Sequence, residues 1–173
     1  MLREIYQKKC LVFGCGNPLI GDDGFGPEVI RHLEGAAPLP DEVACLDVGT
    51  SIRDILFDFL LVEKKPELIV IVDAMEVPGA AAGEIFEIDV ADISPAKICD
   101  FSLHQFPTTN MLKEIQDQTD IDVRVFVVQT TGLPSMVSPG LSNPVAAAVP
   151  VMCSRIRDLI RERFADSASE GPS

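Results

Sequence analysis

Four aspartates and one histidine are placed where they could do chemistry. Asp22 and Asp23 are adjacent in the glycine-rich stretch GCGNPLIGDDGFG, residues 14–26. Asp47 closes an apolar run ahead of Val48-Gly49-Thr50, Asp73 closes another ahead of Ala74, and His104 precedes a helical segment. One carboxylate of the Asp22–Asp23 pair is accounted for by a helix N-terminus, whose dipole and unpaired N–H groups favour an anion. Two adjacent carboxylates in a loop at a strand end are not. Asp47 also suits a helix cap and Asp73 a turn. A lone histidine is more often structural than a ligand, but His104 enters the same layer as the loop carboxylates. Asp23, Asp47 and His104 together make an O, O, N donor set. That set suits a borderline divalent ion such as nickel, zinc or cobalt better than calcium.

The glycine-rich stretch resembles a phosphate cradle and departs from one. Gly14 and Gly16 supply two glycines of a GxGxxG fingerprint, but the third position is Leu19, and no lysine follows Gly21. Asp22 and Asp23 would repel a pyrophosphate where it would bind. Cys15 offers a competing chemistry, since a thiolate paired with His104 would be a nucleophile. Two neighbouring carboxylates raise a thiol's pKa and oppose that role. Ser102, Ser135 and Ser138 have no GxSxG context.

These residues need a scaffold that delivers strand ends to one edge. Residues 9–13, 42–46, 67–72 and 123–128 are Val- and Ile-rich runs without clean polar alternation, as expected of parallel strands covered on both faces. Residues 83–88, GEIFEI, alternate and fit an added or edge strand. Helices are expected over 26–33, 52–62 and 107–116. A last helix starts near Ser142-Asn143-Pro144, with Val145, Val149, Met152, Ile156 and Ile160 on one stripe. Pro150 is expected to bend it. Alternating strands and helices predict a three-layer α/β sandwich with a twisted, mostly parallel sheet, and ligands beyond the strand C-termini. A single domain over 1–164 and a fraying tail over 165–173 are expected.

Composition narrows the partners. The 173 residues are 47% hydrophobic with a net charge of −13, which fits a globular domain and opposes nucleic acid or an anionic membrane as partner. No apolar run resembles a signal peptide or a membrane span, so a cytoplasmic location is expected. The five scattered cysteines form no CxxC pair, which leaves neither a zinc knuckle nor a disulfide framework.

In order along the chain, GxGNxLxxDDGxG after a strand, Asp47-Val48-Gly49-Thr50, Asp73-Ala74 and His104 resemble the nickel–iron hydrogenase maturation endopeptidases. The form GNPLIGDDGFGPEV is most similar to the branch associated with deazaflavin-reducing hydrogenases of methanogenic archaea. The likeness spans residues 10–157. It implies a protease that removes a C-terminal extension from the hydrogenase large-subunit precursor after nickel insertion. It places the metal-contacting roles on Asp23, Asp47 and His104, with the nickel carried by the precursor, or with zinc or another divalent ion in the isolated protein. Asp22 is expected to orient this shell or to act as a base. One departure stands out. The family often has Gln-Pro at the end of the strand at 123–128, where this chain reads Gln129-Thr130-Thr131-Gly132 and a long loop. Two other readings of the same residues are a non-catalytic nickel-checkpoint or docking module for the large subunit, and a free-standing metal-dependent peptidase.

Overall fold

A computed structural model describes residues 2–92 and 108–164. In chain order the elements are α1 (Leu2–Ile5), β1 (Cys10–Cys15), a 3-10 turn (Gly21–Gly24), α2 (Phe25–Gly35), β2 (Val43–Gly49) and α3 (Ile52–Leu61). There follow β3 (Leu68–Met75), β4 (Ile85–Ile88), a short 3-10 turn (Val90–Asp92), α4 (Thr108–Gln118), β5 (Asp122–Gln129) and α5 (Asn143–Phe164). The sheet order is β2-β1-β3-β5-β4. The first four strands of that order pair in parallel, and β4 runs antiparallel to β5 at one end. The expected three-layer sandwich is thus the observed architecture, and the alternating GEIFEI segment is its added strand.

Strand alternation divides the core into two layers. Cys10 and Val12 of β1, Leu68, Val70 and Val72 of β3, and Phe126 and Val128 of β5 face α2 and α5. Leu11, Phe13, Ile69, Ile71, Val125 and Val127 face α3 and α4. Both faces are covered, so these strands show no polar alternation. On α2, Val29, Ile30 and Leu33 are buried together, and the full stripe from Val145 to Ile160 on α5 is buried. The α5 helix continues through Pro150. The 165–173 tail lies outside the described residues. Among the described residues, no helix is long and apolar enough to cross a membrane.

Candidate active site

After β1 the chain enters α2, which packs on one face of the sheet, whereas β3 is followed by β4 and the other face is covered by α3 and α4. Ligands of such folds bind beyond the C-terminal ends of the strands. The register brings the acidic residues to that edge. Gly14 of β1 lies opposite Asp47 of β2 and opposite Val72 of β3, so Asp47 and Asp73 flank the end of β1 on either side. A bulge between Gly14 and Cys15 then pairs Cys15 with Gly49.

The loop beyond β1 returns at close quarters, and this is what its glycines permit. Gly16 has φ 121°, and a Cβ there would lie 1.8 Å from the carbonyl oxygen of Asp23. A Cβ on Gly26 would lie 2.2 Å from the Cys15 oxygen and 2.6 Å from the Val72 oxygen, so only glycine lets α2 sit this near β1 and β3. The turn brings Asp23, 1% exposed, back against Gly16 at the end of β1. Its Oδ2 accepts the Asn17 backbone N–H at 2.8 Å. Asn17 Oδ1 in turn accepts the N–H of Leu19 at 3.0 Å.

Asp22 faces the opposite way and is consumed structurally. Its Oδ2 accepts the backbone N–H and the hydroxyl of Thr131, both at 2.9 Å, and the Ser142 hydroxyl at 3.0 Å. Its Oδ1 accepts the Ser142 N–H at 2.7 Å. Two backbone bonds reinforce the seam, from Gly21 N–H to Ser138 O and from Ser138 N–H to Leu19 O. Burial would raise the Asp22 pKa, but the donors from Thr131 and Ser142 outweigh it and hold the carboxyl below its ordinary value. Of the two roles expected for Asp22, this geometry favours orienting the shell. A carboxylate saturated by four donors is a weak base. Asp22→Asn should therefore cost about 3 kcal/mol of stability, because it sets an amide against donors that need an acceptor. The folded pKa is depressed, so the stabilisation is fully present above the unfolded value of about 3.9. It is lost as pH falls through the folded value. The stability gap between wild type and variant, measured by denaturant titration, should be constant near neutral pH and close only below about pH 4.

Asp73 was expected to suit a turn, at the same sheet edge as Asp23. Instead β3 runs on to Met75, and Asp73 is a half-buried strand residue whose Oδ1 accepts the Ala74 N–H at 2.8 Å. Burial, aided by the charge of Asp23 and opposed by the Ala74 N–H, raises its pKa to about 7. A raised folded pKa contributes stability that is complete below the unfolded value and lost as pH climbs through the folded one. The thermal midpoint of the metal-free protein should thus fall relative to Asp73→Asn between about pH 4 and pH 7. A pH-independent difference would contradict the raised pKa.

Asp47 is exposed at the strand end, and its Oδ1 accepts the Gly49 N–H at 3.0 Å. Helix α3 begins after Ser51 with no side-chain cap, so Asp47 does not cap it. Cys15 is 5% exposed, and burial first, then the charges of Asp73, Asp47 and Asp23, push its thiol well above the usual value. That removes the thiolate reading. The strand register independently places Asp47 and Asp73 on either side of the end of β1. His104 lies outside the described residues, and among those described no group of three His, Cys, Asp or Glu side chains could hold a metal ion. Two of the three expected ligands, Asp23 and Asp47, are thus brought to one edge. Asp73 joins them, as its place at the end of an apolar run led one to expect, although sequence reasoning gave it no catalytic or metal-binding role.

Comparison with known proteins accords with this arrangement. The hydrogenase maturation protease family model (HycI) matches residues 27–159. A relative from Methanocaldococcus jannaschii is 36% identical over 147 residues, covering 83% of this chain and 90% of that protein. The coenzyme F420 hydrogenase subunit delta of Methanothermobacter thermautotrophicus is 34% identical, covering 90% of this chain and 96% of its own, in keeping with the methanogen-associated branch. Among solved structures, the hydrogenase maturating endopeptidase HybD of Escherichia coli superposes with a TM-score of 0.68 at 26% identity, over 90% of this chain and 93% of that one. With the family model spanning most of its length, this chain belongs to the hydrogenase maturation protease family.

Proposed function

We propose that the protein is the endopeptidase that removes the C-terminal extension of a nickel–iron hydrogenase large-subunit precursor once nickel has been inserted, and that it does so in the cytoplasm. The observation that carries this reading is that the strand register sets Asp47 and Asp73 beside the end of β1, where the glycine turn also returns Asp23, in a chain of this family. Nickel, carried by the precursor, is part of the substrate. Asp23 and Asp47, with His104, supply oxygen and nitrogen donors suited to it. Binding the metal-loaded precursor there places the scissile peptide over the glycine loop. Held there, the ion would polarise the carbonyl or activate a water, as a Lewis acid does.

This chain's own groups have distinct tasks in that scheme. Asp22 fixes the loop against Thr131 and Ser142. Asp73, with a pKa of about 7, can take a proton from the attacking water near neutral pH. The water oxygen bonds to the carbonyl carbon, the carbon–nitrogen bond breaks, and the proton passes to the departing amine. His104→Ala should leave the fold intact and abolish processing, as read by the mass of the precursor after incubation. Full processing by that variant would remove His104 from the site.

A further inference from the structure

We infer that the cleft between the chain leaving β3 and the chain leaving β5 seats the precursor's peptide beside the scissile bond, an inference that rests on the function proposed above. The cleft has a volume of about 470 Å³ and is walled by residues 76–80 on one side and 129–132 on the other. It starts three residues beyond Asp73. Its other wall includes Thr131, whose N–H and hydroxyl both bind Asp22. The seat is therefore tied directly to the turn that carries Asp23.

The walls are built before any peptide arrives. Gln129, 8% exposed, spans them: its Oε1 accepts the Val77 N–H at 2.5 Å, and its Nε2 donates to the Thr130 carbonyl at 3.0 Å. Thr130 N–H reaches Met75 O, and Ala80 N–H reaches Val77 O, both at 3.1 Å. No atom lies within 4 Å of a Cβ built on Gly79 or Gly132, so both rims are unobstructed. A preformed cleft avoids the ordering cost of binding an extended chain. Its walls are largely turn backbone, with Glu76 the only charged lining residue among the described residues, which suits a peptide better than a charged small molecule. Here Gln129 ties the two walls together, and the chain departs from the family's usual Gln-Pro at the next residue, Thr130.

A cleft of similar size, about 430 Å³, lies between β4, β5 and α5 and serves as the control. The Glu87–Arg124 ion pair lines it, and Arg155 stacks over Phe126 at 5.8 Å. The test follows processing of nickel-loaded precursor by wild type, the graded series Ala80→Ser, Ala80→Leu and Ala80→Phe, and Ser154→Phe in the control cleft. KM should rise with bulk at position 80, by about tenfold or more for phenylalanine, with kcat and the thermal midpoint little changed. Ser154→Phe should behave as wild type. If Ala80→Phe fails to fold, the leucine variant carries the comparison. An unchanged KM across the folded series, with wild type active, overturns the seat. Inactive wild type overturns instead the function on which it rests.

Discussion

Asp23→Asn should lower the processing rate by roughly 10³-fold while leaving the fold nearly as stable as wild type. The reasoning separates two properties of one side chain. One structural duty of Asp23 is to accept the Asn17 N–H through Oδ2. An asparagine carbonyl oxygen can accept the same bond, so the loop keeps its turn at a cost of about 1 kcal/mol. The negative charge is what the asparagine lacks. Interaction of a carboxylate with a divalent ion at a reacting carbonyl contributes several kcal/mol to transition-state stabilisation, and each 1.36 kcal/mol is tenfold in rate. Asp22→Asn should show the opposite profile, losing stability first. Measuring rate and denaturation midpoint for both variants tests this. A Asp23→Asn protein that processes at the wild-type rate would place the metal elsewhere.

Gly26→Ala should damage the fold severely although it adds a single methyl. The added Cβ would meet three backbone atoms, Cys15 O at 2.2 Å, Cys15 N at 2.5 Å and Val72 O at 2.6 Å. Backbone inside two paired strands cannot step aside as a side-chain tip can. Helix α2 would have to lift away from β1 and β3, opening the packing of Phe25, Val29 and Ile30. Overpacking of this kind costs about 3 kcal/mol or more, against a total stability of about 5–15 kcal/mol. The thermal midpoint should fall by roughly 10 °C, if the variant accumulates at all. Gly35→Ala provides the contrast, because a Cβ there meets nothing within 4 Å. It should be neutral or slightly stabilising, as the better helix former.

These contrasts show which features sequence reasoning could reach. Buried strands and amphipathic helices are encoded locally, so the runs at 67–72 and 123–128 and the stripe from Val145 to Ile160 were legible from periodicity. The DD pair, the Asp47 segment and the strand-to-helix glycines were legible as a site because they recur at strand ends. The sheet order was not, since nothing local says that β1 lies between β2 and β3. The partners of Asp22 are 109 and 120 residues away, at Thr131 and Ser142. No pattern within a window of the chain connects them. Asp73 lies at the expected edge, but the turn expected there failed for a related reason. An acid after an apolar run usually ends a strand, whereas here pairing with β5 carries β3 on through Met75↔Gln129. Its raised pKa follows from burial and from Asp23, which is near it only in three dimensions.

The account turns on a metal-loaded precursor engaging Asp23 and Asp47 at the end of β1. The most direct test mixes the purified protein with nickel-loaded and nickel-free large-subunit precursor and reads the mass of each product. The account predicts loss of the C-terminal extension from the loaded precursor alone, and no loss from either form with Asp23→Asn. Cleavage of both forms alike, or binding of the loaded form without any change in mass, would contradict it.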